Sequence, residues 1–188
     1  MKKIVYAIFC FSVLFLSSCE TEMVDQIDPF NLRQGGYMRT VTPFPLPIFQ
    51  VSKAKMDSTQ LDMVLEAVTP NFGANFDNYA LVIRFVDNSL TNGNNSKPDA
   101  PLRTLRASDF TKDPTTGYPR FRLVVTGRQM LTATGLTVDQ TTATDQFQIR
   151  AKMTLTDGSV FDASNSSADV LGGAFYSSPF LYRANVIN

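Results

Sequence analysis

Along residues 145–158 apolar and polar side chains alternate, with Phe147, Ile149, Ala151, Met153 and Leu155 interleaved with Gln146, Gln148, Arg150, Lys152 and Thr154. A period of two puts one set on a buried face and the other in water, the pattern of a half-buried strand. Asp157 and Gly158 follow, a pair that accepts the positive φ values of a tight turn, and Val160 and Phe161 begin a second arm, so a hairpin is expected. Residues 79–86, YALVIRFV, are more continuously apolar and read as a central strand. Further strands are expected over 36–42, 61–68, 121–126 and 180–187, with a short edge strand over 102–107, where Arg103 and Arg106 discourage edge-to-edge pairing.

Residues 126–135, TGRQMLTATG, depart from this period. Met130, Leu131 and Thr134 share a helical face between an N-cap residue and a glycine stop, so a turn or two of helix is expected to cross between sheets. Strands at spacings of roughly 10 to 20 residues, turns marked by Pro and Gly, and no long helical periodicity predict an all-β fold. The expected architecture is an antiparallel immunoglobulin-like β-sandwich with one short helix, occupying residues 35–188.

The N-terminus has a different pattern. Lys2 and Lys3 precede an apolar run over 4–16, and Ser17 and Ser18 are small residues that suit a peptidase cleft, which together read as an export signal over 1–18. The run is shorter than the roughly 20 residues a helix needs to cross the hydrocarbon core. Leu16-Ser17-Ser18-Cys19 resembles the bacterial lipobox. The resemblance implies that Cys19 becomes the first mature residue and carries lipid on its sulfur and its amine, several acyl chains being needed for a durable anchor. Residues 19–34 then form a lipidated N-terminus and tether, acidic through Glu20, Glu22, Asp25 and Asp28. Acids directly after the lipidated cysteine resemble the export signals of Bacteroidota lipoproteins displayed on the outer face of the outer membrane, and the expected location is that surface.

With Cys10 in the removed segment and Cys19 lipidated, the domain has no thiol, hence neither a disulfide framework nor a cysteine metal site. About 170 residues are long enough for one domain to bury some two thirds of its surface without a staple. Without Lys2 and Lys3 the chain keeps 15 basic residues against 17 acids, about −2 net, which gives no footprint for nucleic acid.

The chain has no histidine, which removes Ser-His-Asp and Cys-His machinery and ordinary zinc sites. A two-carboxylate hydrolase remains conceivable in principle, but Glu66 is the only glutamate of the domain, and aspartates such as Asp87, Asp113 and Asp157 stand at turn positions. No glycine-rich phosphate loop occurs. The expectation is a non-enzymatic protein without cofactor or metal.

Two polar loops carry the binding candidates. Residues 88–101, NSLTNGNNSKPDAP, offer oxygens from Asn92, Asn94, Asn95 and Asp99, suited to sugar hydroxyls or a hard cation but without an EF-hand spacing. Residues 112–121, KDPTTGYPRF, present Tyr118 on a proline-braced loop, suited to stacking on a sugar or anchoring a partner. The chain has no tryptophan, which weighs against a carbohydrate platform. Asp57-Ser58-Thr59 resembles the short O-glycosylation motif of Bacteroidota exported proteins, with Ser58 as acceptor.

Over most of 35–187, "QGGYMRTV", "VIRFVDNS" followed by a polar insertion, "MTLTDGSVF" and "YSSPFLYRANVI" resemble the N-terminal β-sandwich region of Bacteroidota outer-membrane lipoproteins found beside starch-utilisation-type, SusCD-like uptake systems. The resemblance implies an accessory role in an outer-membrane transporter or receptor complex, with a protein partner or glycan as ligand. A structural or adhesive surface module assembling by strand addition stays open as the alternative. Changing Cys19 to Ala is expected to release the protein from the membrane fraction or leave it unprocessed. Fractionation with N-terminal sequencing checks this, and a membrane-bound mutant with an unchanged cleaved N-terminus refutes it.

Overall fold

The computed structural model describes residues 35–177 and 180–188. The expected signal over 1–18, Cys19 and the tether over 19–34 lie outside the described residues. Among the described residues ten strands and three short helices follow one another. They are β1 (Tyr37–Thr42), β2 (Phe49–Ser52), β3 (Gln60–Val68), α1 (Pro70–Gly73), β4 (Phe76–Val86), β5 (Lys97–Arg106), β6 (Thr111–Lys112), β7 (Pro119–Thr126), α2 (Gly127–Thr134), β8 (Gln146–Leu155), β9 (Val160–Phe161), α3 (Ala168–Gly172) and β10 (Leu181–Ile187).

The strands form two sheets, so the domain is an all-β sandwich. One sheet has the order β1-β3-β7-β6; the other has the order β2-β10-β8-β4-β5, with β9 continuing the pairing along β8. All pairs are antiparallel except β2 with β10, which is parallel. The expected all-antiparallel arrangement fails at this pair for a local reason. Pro43, Pro45 and Pro47 cannot donate to a ladder, so the chain leaves the first sheet after β1, crosses the edge and enters the second sheet as β2.

The alternation over β8 behaves as its period demands: Phe147, Ile149, Ala151, Met153 and Leu155 are all buried. Tyr79, Leu81, Ile83 and Phe85 of β4 lie beside them, and Leu61, Met63, Leu65 and Ala67 of β3 with Leu123 and Val125 of β7 close the core from the other sheet. Fully burying one such side chain stabilises by about 1.5–3 kcal/mol. β4 is central, as expected, but Ala80 and Val82 point out of the sandwich and are only half-buried. The turn at Asp157 and Gly158, with φ +83° at the glycine, returns the chain into β9, whose Val160 and Phe161 pair with Thr154 and Met153. The expected edge strand over 102–107 is the end of a longer one that begins at Lys97, so the second half of the polar loop is strand.

The expected helix is α2. Thr126 caps it, its Oγ1 accepting from Gln129 N at 3.2 Å while Gln129 Oε1 accepts from Thr126 N at 3.0 Å, and Gly135 ends it at φ +68°. α1 and α3 add two further short turns. Among the described residues no helix is long and apolar enough to cross a membrane.

In the core the hydroxyls of Tyr79 and Tyr182 stand 2.9 Å apart. Burial pushes the Tyr182 phenol up to about 12 and that of Tyr79 well above its ordinary value. An unfolded tyrosine ionises near pH 10, so from about pH 10 upward the native state holds more protons than the unfolded one and stability falls as pH rises. Tyrosinate absorbance is therefore expected to leave these two residues silent until far-UV dichroism shows unfolding. Ionisation of all tyrosines near pH 10 in an intact fold contradicts the packing.

Candidate functional site

The two loops singled out by sequence leave opposite ends of β4. The asparagine loop follows Val86, whereas Tyr118 packs on Phe72 of α1, the turn that leads into β4 at Phe76. Asn92, Asn94 and Asn95 are together, but their side chains build the loop. Asn92 Nδ2 donates to Asp139 O at 3.0 Å, Asn95 Nδ2 donates to the carbonyls of Asn92 and Gly93 at 3.3 Å, and Asn94 Oδ1 accepts from Ser96 N at 3.1 Å.

Two buried carboxylates organise this end. Asp87 accepts from the backbone N–H groups of Asn95 at 2.8 Å, Leu90 at 3.1 Å and Ser89 at 3.2 Å, and these donors, Asn95 foremost, hold its carboxyl below the usual carboxylate range. Asp145 accepts from Asn88 N at 2.9 Å and Thr142 N at 2.6 Å, tying the loop to the approach of β8. Asp99, offered by sequence as a partner of the asparagines, instead sits on β5 and pairs with Arg150. Among the described residues no group of three or more His, Cys, Asp or Glu is placed to hold a metal ion. Ser58 lies on an exposed turn, an accessible hydroxyl whose neighbour Asp57 pairs with Arg128 at 3.0 Å.

Tyr118 belongs to a different constellation. Glu66 is on the outward face of β3, yet its side chain is 0% exposed. The register of the first sheet puts Arg39 of β1 on one side of it and Arg120 of β7 on the other. Arg39 Nη2 binds Glu66 Oε1, Arg120 Nε is 2.7 Å from Glu66 Oε2, and Thr116 Oγ1 donates to the same oxygen at 3.2 Å. Arg120 also reaches Asp113 Oδ2 at 2.6 Å. Asp113 in turn closes the loop before β7: its carboxylate accepts from Thr116 N at 2.8 Å, the main cause of its lowered pKa, and its backbone N donates to Tyr118 O at 2.9 Å.

Aromatic side chains surround this ionic floor. Arg39 lies over the ring of Phe175 at 4.9 Å, Phe175 meets Tyr176 edge-on at 5.4 Å, and Tyr176 meets Tyr37 edge-on at 4.8 Å. On the other flank Phe72 packs on Tyr118 at 5.5 Å. Burial raises the Tyr37 phenol above its ordinary value, with Tyr176 adding to the effect. Phe72 and Phe175 remain 59% and 56% exposed. The backbone under Phe72 is fixed: Gly73 has φ +80°, and a Cβ there would lie 2.4 Å from Pro119 Cδ. The cluster is a rigid plate of aromatic rings and guanidinium groups whose charges are compensated from below. Its carboxylates already accept from arginine, hydroxyl and backbone donors.

Sequence singled out Tyr118 alone of this set. A lone glutamate at an outward position of an alternating strand, with arginines at outward positions on two other strands, was the available signal. No protein-family model matches the chain, and no curated protein sequence matches it significantly.

Removing the Glu66 carboxylate leaves two guanidinium groups facing one another. Glu66→Ala is expected to lower unfolding free energy by roughly 2 to 4 kcal/mol, slightly under the cost of breaking a fully buried pair because the arginines keep partial exposure. Denaturant unfolding reads this, with Asp57→Asn, which breaks an exposed pair, expected to leave the midpoint in place.

Proposed function

We propose that this chain is a lipid-anchored accessory protein of an outer-membrane surface assembly, acting by contact, with an immunoglobulin-like sandwich as its scaffold and the aromatic and arginine plate of the first sheet as its partner-binding surface. The observation that carries the reading is the plate itself. Two exposed phenylalanine rings beside half-buried tyrosines and arginines, packed over a compensated floor, have the composition of interface hot spots, and little side-chain freedom is lost when a protein partner covers them. The lipobox resemblance at Cys19 supports the anchor. Strand order supports the immunoglobulin-like scaffold: β1-β3-β7-β6 corresponds to the ABED sheet of such domains, and β10-β8-β4-β5 to the GFC sheet extended by a C′ strand.

The adhesive alternative asks for a free edge that accepts a strand. In the second sheet β2 has four residues behind three prolines, and β5 carries Pro98, Pro101 and two register shifts. In the first sheet β6 has two residues, and β1 ends against Pro43 after a register shift of its own. Such edges are blunted against augmentation.

Copurification from detergent-solubilised membranes tests the reading. A stoichiometric outer-membrane partner is expected, and Phe72→Ala, Tyr118→Ala and Phe175→Ala are each expected to weaken its capture by about 2 kcal/mol or more, the scale of hot-spot residues. Alanine at Asn92, Asn94 and Asn95 is expected to leave capture intact. Recovery of self-assembled filaments, or capture lost only in the asparagine variants, overturns the proposal.

A further inference from the structure

The outward face of the second sheet is charged in a way the chain as a whole is not. The protein is formally neutral, with 17 basic and 17 acidic side chains. Yet the outward positions of its three inner strands hold Asn78, Ala80, Val82, Arg84 and Val86 on β4, Gln146, Gln148, Arg150, Lys152 and Thr154 on β8, and Leu181, Arg183, Asn185 and Ile187 on β10. Four of these are cations; the one acid of the three strands, Asp77, stands at the far end of β4 beside a register shift, where Asn78 Nδ2 donates to it at 2.7 Å. Register puts Arg84 and Arg183 on either side of Gln148, two strand spacings or about 10 Å apart. Arg150 and Lys152 follow at the next outward steps of β8, about 7 Å each.

Compensation comes only from the flanks and reaches two of the four. Arg150 pairs with Asp99 of β5, its Nε 3.2 Å from Oδ1. Lys152 is near Asp162, helping to lower that carboxyl, though the Ser164 hydroxyl is the larger cause. Among the described residues neither Arg84 nor Arg183 makes a salt bridge. Arg84, half-buried, donates from Nε at 2.8 Å and from Nη2 to one neutral acceptor, Gln148 Oε1. Gln148 is committed in turn, giving its amide N–H to Gln146, which gives its own to Asn185. The row is thus an amide ladder locked in one orientation, with uncompensated guanidinium groups at both sides. Like charges gathered on one sheet face lower stability, and a local rule broken without structural gain marks a functional surface.

The face is also concave. Ala80 and Val82 are too small to fill it, and beyond Lys152 the neighbour of β8 changes from β10 to β9. Between the turn at Asp162 and Ser164 and the start of β10 at Phe180 and Leu181 lies a groove of about 610 Å³, lined by Arg84, Arg150 and Lys152, within the range of ligand sites.

We propose that this groove, together with Arg183, which stands one outward step along β10 beyond Leu181 at its rim, binds an acidic oligosaccharide through carboxylates of uronate units, with Arg84 and Arg183 as the principal donors and Lys152 and Arg150 at its other end. Arg84, Arg150 and Lys152 supply the donors of an otherwise largely apolar lining, its one carboxylate, Asp162, already accepts from Ser164, and its sheet strands are paired on both sides. A peptide laid across it finds no ladder for its own N–H groups, which need acceptors. A uronate chain presents acceptors throughout and seats carboxylates on guanidinium forks. The site lies on the opposite face of the sandwich from the aromatic plate, so either can fail without the other.

The test is calorimetric titration of the full-length detergent-solubilised protein at low salt with tetragalacturonate, maltotetraose and tetraglutamate. Tetragalacturonate is expected to bind, more weakly as salt rises, and the other two are not. Arg84→Gln and Arg183→Gln are each expected to weaken binding about tenfold, the scale of one charge-assisted hydrogen bond, while Arg122→Gln on the other sheet leaves it unchanged. Arg183 is exposed, so its variant reports on binding even if Arg84→Gln perturbs the fold. No binding, equal binding of maltotetraose, or wild-type affinity in Arg183→Gln overturns the proposal. Tetraglutamate binding as tightly as the uronate also overturns it, in favour of an acidic peptide.

Discussion

Strand register is the constraint on which every other feature depends. No thiol lies within residues 35–188, so nothing covalent aligns the two sheets. The alignment is enforced by burial: a slip of one residue in β8 would turn Phe147, Ile149 and Met153 into water and carry Arg150 and Lys152 into the core. The same choice that hides five apolar side chains therefore lines up the cations outside. In β3 the register that buries Leu61, Met63 and Leu65 also delivers Glu66 to Arg39 and Arg120.

The two outward faces handle charge in opposite ways. On the first sheet the acid is innermost: Glu66 is buried, its arginines are half-buried, and aromatic rings form the rim, so the surface offered is apolar and π-rich over a compensated interior. On the second sheet the cations are outermost and the amides of Gln146, Gln148 and Asn185 are spent on one another. A protein partner that buries aromatic area suits the first surface, and a highly solvated anion suits the second. The difference follows from where the acids sit. Glu66 is at the middle of its ladder, whereas Asp99 and Asp162 lie on the flanks of theirs.

What the sequence makes legible is what depends on neighbours along the chain. The alternation over β8, the hairpin at Gly158, the capped helix α2 and the turn-forming roles of Asp87 and Asp113 all rest on spacings of a few residues. β2 was hidden because four residues between proline-rich stretches carry no period, and its partner, β10, is far away in sequence. The partners of the asparagine loop were hidden for a related reason. Its side chains looked free because the groups that occupy them come from elsewhere, from Asp139, Gln140 and Thr142, with Asp145 fixing the base. The aromatic plate needs three strands, a turn and the segment before β10 to meet, and only Tyr118 stood in a context that looked unusual alone.

Gly36 has a mechanical consequence. A Cβ there would lie 3.0 Å from Thr69 Cγ2, 3.2 Å from Leu155 Cδ2 and 3.3 Å from Met153 Sδ, so the backbone of this residue is gripped by the end of β3 and the end of β8 together. A side chain at this position would displace atoms of both sheets at once, so the point at which the chain enters β1 doubles as a clasp between the two layers.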